Sequence, residues 1–246
     1  MEGITAVRPI EQVIAEADSL LAQQNFAAAG ALLRESRAAY LNTGDLAAAL
    51  GTVNELMGFE RQYGSPAAAV AAAEEALRLL TQTGTDVSRP AAMVVLNAAT
   101  VFLFAGDRDR ALPLFDRAEA LFNKYYPAGD RAFAGLYNNR AAAYLTDEAS
   151  PKAEYYYTRA LRILERTDDR CDAAVACFNL AGLYQGRFHN EKTARAYAER
   201  GTLLLGNNTD ERTGYYAYTC RKCAAAAREQ GYPDLAEILT ERAATA

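Results

Sequence analysis

Residues 179–201 read NLAGLYQGRFHNEKTARAYAERG. Asn179-Leu180-Ala181 is followed by Tyr184, then, across a short turn holding His189 and Asn190, by Ala194, Tyr197 and Gly201. Small residues let two helices approach, and large ones fill the holes between them. The stretch therefore reads as a helix pair packed face to face. The same arrangement stands upstream. Asn97-Ala98-Ala99 is followed by Phe102, Gly106, Ala111, Phe115 and Ala118, and Asn139-Arg140-Ala141 by Tyr144, Ala153, Tyr157 and Ala160. An Asp recurs at Asp45, Asp86, Asp130, Asp169 and Asp210, at spacings of 41, 44, 39 and 41 residues. A fixed period in this range marks stacked repeats, because one helix pair cannot bury its apolar face alone.

Worked outward, the pattern lays out six helix pairs. They are Ile10–Gln24 with Phe26–Leu41, Asp45–Tyr63 with Pro66–Gln82, and Ser88–Ala105 with Arg108–Tyr126. Arg131–Thr146 with Pro151–Arg166, Arg170–Gln185 with Glu191–Leu205, and Glu211–Gln230 with Pro233–Ala244 complete the set. Ser65-Pro66 and Ser150-Pro151 place a capping hydroxyl before a proline that suits the first helical position. Asp45, Asp130 and Asp210 are suited to cap the first helix of their pairs. Pro113, inside a helical stretch, is expected to cost a hydrogen bond or bend the helix start. The outer pairs are degenerate: the first keeps Ala17, Leu20, Ala29 and Leu33, the sixth Ala224, Gly231, Ala236 and Ala243. In the second pair Asn54 and Phe59 fit, whereas Ala69 and Ala76 require a one-residue insertion.

On these residues the chain resembles the tetratricopeptide repeat (TPR) family: a small residue and an aromatic on the first helix, then alanine, aromatic, alanine on the second. A period of about forty, longer than the usual thirty-four, resembles the repeats of kinesin light chains and related bacterial proteins. The resemblance implies an all-α, right-handed α-solenoid over a single domain, 1–246, with repeats at 10–42, 45–83, 88–127, 130–167, 169–206 and 210–246. It also implies a non-catalytic bacterial protein that binds a protein or extended peptide in a concave groove lined by the first helices. The alternatives are a self-assembling scaffold and the peptide-sensing part of a bacterial regulatory system.

By the same alignment Asn54, Asn97, Asn139 and Asn179 share one phase, with Asn138 beside them and Lys222 in that phase of the sixth pair. The resemblance places this position in the groove, where an amide can both donate to and accept from a peptide backbone. Equally, such residues can bond the next repeat. Tyr218, Arg221, Lys222 and Arg228 make the C-terminal end basic, and Glu11, Asp18 and Glu60 the opposite end acidic. A basic cluster of this kind suits an acidic side chain or a C-terminal carboxylate.

Composition narrows the classes further. The 246 residues are 51% hydrophobic, and 26 Lys and Arg against 31 Asp and Glu leave a formal charge of −5. That balance argues against nucleic acid or an anionic membrane as partner. No apolar run approaches the ~18–20 residues of a membrane span. The start, Met1-Glu2-Gly3-Ile4, lacks the pattern of a secretory leader, so a reduced cytoplasmic setting is expected. Cys220 and Cys223 have metal-motif spacing, but Cys171 and Cys177 lie six apart and the single His is distant, so structural thiols are expected. There is no glycine-rich phosphate loop or nucleophile elbow, and His189 falls in a turn. The expectation is no catalysis, no cofactor and no metal.

Overall fold

The computed structural model describes residues 8–146, 148–206 and 214–245. Among them are twelve α-helices and no strand. Pairs form in order: α1 (Ile10–Ala22) with α2 (Phe26–Thr43), α3 (Leu46–Tyr63) with α4 (Pro66–Gln82), and α5 (Arg89–Phe104) with α6 (Arg108–Tyr125). Then come α7 (Ala132–Ala142) with α8 (Ser150–Arg166), α9 (Arg170–Gly186) with α10 (Glu191–Leu204), and α11 (Gly214–Glu229) with α12 (Pro233–Ala244). Contacts divide the chain after Tyr126, so that α1–α6 form one compact unit and α7–α12 another. No helix among the described residues is long and apolar enough to cross a membrane.

Local chemistry starts most of these helices. The side chains of Asn25, Asp45, Ser65, Ser88, Asp107, Asp169 and Asn190 each accept the backbone N–H three residues on, satisfying a donor that has no partner inside the helix. Gly44 closes α2 in the left-handed conformation, φ 78°, which a side chain would disfavour. Some expected signals act differently. Ser150 is the first residue of α8 and its hydroxyl donates back to the Thr146 carbonyl at 2.7 Å, so it caps nothing. Asp130 accepts from Ala132 N–H at 2.9 Å, one residue ahead of the helix boundary. Helix α7 stops at Ala142, four residues short of Thr146, with Ala143 and Tyr144 already in a turn. Helix α6 runs unbroken through Pro113. Asp210 and Glu211 lie outside the described residues.

Packing within each unit follows the small–large rule. In the first unit Ala49, Ala69, Ala73, Ala92, Ala98 and Ala111 are fully buried around Val53, Met57, Phe115 and Phe122. Gly30 is needed where α2 meets α3, because a Cβ there would stand 2.6 Å from Phe59 Cζ. In the second unit Ala153, Ala160, Ala181 and Ala194 are fully buried, with Leu136, Tyr157 and Leu180 filling the space between helices. Cys177, Cys220 and Cys223 are core residues with free thiols. Burial pushes the thiols of Cys177 and Cys223 up to about 12, which keeps them protonated and unreactive.

Candidate binding faces of the first helices

In the first unit, residues 47, 50, 51 and 54 of α3 recur every three to four positions and so share a face. That face borders a hollow of about 480 Å³. Ile14 of α1 and Pro90, Met93 and Val94 of α5 close its sides. Asn54 lies at its edge. The Asn97 amide donates from Nδ2 to Asn54 Oδ1 at 2.9 Å, and Asn54 Nδ2 donates to Glu55 Oε1 at 3.3 Å. Both asparagines are half-buried. Their amides thus join one pair to the next.

The second unit repeats the device. Asn179 Nδ2 donates to Asn138 Oδ1 at 2.8 Å. Below this bond a hollow of about 130 Å³ is bounded by Asn138 of α7, Asp172 of α9 and Tyr215, Tyr218, Thr219 and Lys222 of α11. The rings of Tyr215 and Tyr218 lie near parallel, 6.4 Å apart, and both are partly exposed. Asp172 is already satisfied: Arg131 Nη2 donates to it at 2.9 Å and the Tyr215 hydroxyl donates to its other oxygen. Burial, and then the Asp172 carboxylate, push the Tyr215 phenol well above its ordinary range, so it stays a donor. Arg131 also pairs with Asp169. With Asp172 neutralised, Lys222 is the charge that lines the hollow without an ion pair among the described residues. Thr219 is 1% exposed, and among the described residues its Oγ1 has no hydrogen-bond partner.

No family model matches the sequence, and no curated protein matches it either. Similarity is found among solved structures. Crystal structures that superpose on the chain include BtubC (BKLC) from P. vanneervenii, with TM-score 0.67 and 22% identity over 83% of this chain and 84% of that one. Another is of kinesin light chain nearly identical TPR-like repeats from Podosopora anserina, with TM-score 0.57 and 17% identity, covering 80% of this chain and 93% of that one. A single-substitution form of the latter gives TM-score 0.57 at 16% identity over the same shares. The chain has the TPR-like repeat fold.

Within these TPR-like repeats the residues singled out in the sequence are sorted by phase. Asn54 and Asn97 meet in one unit, Asn138 and Asn179 in the other. Asn138, and not Asn139, is therefore the member of the series in the fourth repeat. Helix geometry turns Asn139 about 100° away from that line. Tyr218 and Lys222 border the same hollow as Asn138. Arg228 does not join them: its Nη2 donates to Thr240 Oγ1 of α12 at 2.6 Å, toward the second helix of its own repeat. Arg221 is two turns from Arg228 and in line with it, so the basic cluster is divided between two faces. Glu60 is not a groove acid. It is 6% exposed and held by Arg34 of α2 at 2.7 Å. Asp172, Tyr215 and Thr219 were missed in the sequence. A search at intervals of three and four from Lys222 would have found the α11 pair, whereas Asp172 looks like an ordinary first-turn acid. Among the described residues, no group of three or more His, Cys, Asp or Glu is arranged to hold a metal ion.

Proposed function

We propose that this TPR-like repeat protein binds a segment of a partner protein along the faces of its first helices. An acidic side chain or terminal carboxylate of that segment sits against Lys222. Folds of this class generally mediate protein interactions, and stacked helix pairs present extended surfaces for it. The observation that carries the reading is the Thr219 hydroxyl. A buried polar group without a partner costs about 1–3 kcal/mol, and the residue that carries this one lines a hollow bordered by Lys222, Asn138 and two partly exposed tyrosines. A carboxylate in the hollow accepts from Lys222 and relieves its charge, and it accepts from Thr219 once that buried side chain turns to meet it. Among the described residues the amide links leave Asn97 Oδ1 and Asn179 Oδ1 uncommitted as acceptors for backbone N–H groups.

The test titrates the full-length protein with a blocked Gly-Glu-Glu-Gly peptide and its Gln-Gln counterpart, at about 0.1 M and 1 M salt, where the screening length falls from about 10 to 3 Å. Lys222→Ala is expected to weaken the acidic peptide about tenfold, equivalent to roughly 1.4 kcal/mol, and to remove most of the salt dependence. Arg228→Ala is expected to bind as wild type. Unchanged binding in Lys222→Ala, or equal binding of the two peptides, sinks the anchor.

A further inference from the structure

The first unit presents a face of opposite chemistry. Its hollow, about 480 Å³, is large enough for a leucine or phenylalanine side chain and falls in the range of ordinary ligand sites. The walls are Ile14, Leu50, Val94 and Pro90; Ala47 adds only a methyl, and Gly51 adds none, Ile10 Cδ1 standing in the way of a Cβ there. Met93 lines it while 39% exposed, although the apolar residues beside it on α5, Ala92, Val94 and Val95, are buried. Methionine adapts its shape to varied apolar partners.

Among the polar residues that border it, Asn54, Thr83, Thr85 and Ser88 included, Glu55 is the one that ionises. Glu55 lines the hollow and is half-buried, and among the described residues the single hydrogen bond it receives is the 3.3 Å one from Asn54. Asp18 of α1 and Arg61 of α3 border the adjoining hollow together with Glu55. Neither carboxylate has an ion pair among the described residues, and Arg61 pairs with neither. Burial first, and then the charge of Asp18, raise the Glu55 carboxyl above its ordinary range. A carboxylate placed against apolar surface beside a second one is unfavourable when empty and is relieved by a cation.

We propose that this hollow receives an apolar side chain of a protein segment that carries a lysine or arginine next to it, the cation lying against Glu55 and Asp18. The inference rests on the reading that the first-helix faces bind protein segments. Its site and preferred charge are separate from those at Lys222. A peptide, rather than an isolated organic cation, suits the place because Asn97 Oδ1, an amide acceptor uncommitted among the described residues, stands one turn along α5 from Met93 and Val94.

The experiment uses full-length protein labelled with carbon-13 at its three methionine methyls. Met57 is fully buried and serves as the internal control, whereas Met93 reports on the hollow. Blocked Gly-Leu-Lys-Gly and Gly-Leu-Glu-Gly peptides are titrated separately. The Met93 methyl is expected to shift with the Leu-Lys peptide, and to bind the Leu-Glu peptide at least about tenfold more weakly, a gap of roughly 1.4 kcal/mol. Glu55→Gln, which keeps shape and removes charge, is expected to close most of that gap. A Met93 signal indifferent to the Leu-Lys peptide overturns the proposal, as does equal affinity for the two peptides or a preference that survives Glu55→Gln. The Lys222 titration stands apart: a failure here with that anchor intact overturns this site alone.

Discussion

Arg34 grips one oxygen of Glu60 twice, from Nε at 3.1 Å and Nη2 at 2.7 Å, while its guanidinium lies 5.6 Å from the centre of the Phe59 ring. The acid is buried and the base is half in water. The pair therefore ties α2 to α3 beside the close approach of Gly30 and Phe59. Arg34→Ala removes the donor and leaves a buried carboxylate, at an expected cost of about 1–3 kcal/mol. Glu60→Gln in the same background should return part of it, as a double-mutant cycle on chemical denaturation can measure. Additive losses from the two changes would show that the pair contributes nothing as a pair. Neither partner was legible in the sequence as half of a bond. They stand 26 residues apart, and only the packing of two helices sets which side chains reach each other. The Asn138–Asn139 doublet failed for a smaller reason: one residue is about 100° of helix rotation, and α7 offers no firm start from which to count.

Helices declare themselves through their ends and their stripes of small residues, and most of these ends were legible. Asp45 and Ser65 cap where the sequence places them, since a cap is a bond between a side chain and a backbone three residues away. Ser150 defeated the same logic because its hydroxyl found an acceptor behind it rather than a donor ahead. Helix α6 offers a direct test. Pro113 is exposed and sits beyond the first turn, so it deprives the Asp109 carbonyl of an in-helix donor and adds no buried surface. Pro113→Ala is expected to stabilise by roughly 1–2 kcal/mol, the restored bond outweighing the entropy regained by the unfolded chain. For a chain of this size that raises the melting temperature by roughly 2–8 °C. A lower melting temperature would mean that the proline fixes this helix start more than it weakens it.

At the scale of the whole molecule, the pairs inside each unit finish one another's core. Phe178 and Ala181 of α9, with Ala198 of α10, belong to one buried cluster with Tyr216, Cys220 and Leu239 from the last pair. The sequence made this stacking legible because burial between repeats demands alanine at the same phase again and again. The proposed binding chemistry was less legible, because the residues that would carry it lie on the remaining face, where no packing rule restricts them. Removing everything after Gly206 exposes Phe178, Ala181 and Ala198 at once. The truncated chain should aggregate, or fray at α9 and α10, as read by light scattering and circular dichroism. A monomeric truncation with full helicity per residue and an unchanged melting temperature would contradict the shared cluster.

The amide links have a sense of direction. Asn97 donates to Asn54 and Asn179 donates to Asn138, so in each unit the later asparagine gives the hydrogen and the earlier one takes it. A carboxylate has the shape of an amide but no hydrogen to give. Aspartate at Asn54 or Asn138 still accepts the neighbour's N–H, and the link survives as a stronger, charge-assisted bond. Aspartate at Asn97 or Asn179 sets two acceptors against each other less than 3 Å apart. Aspartate is thus accepted as the link stands at one end, and at the other it requires the partner amide to turn over and donate.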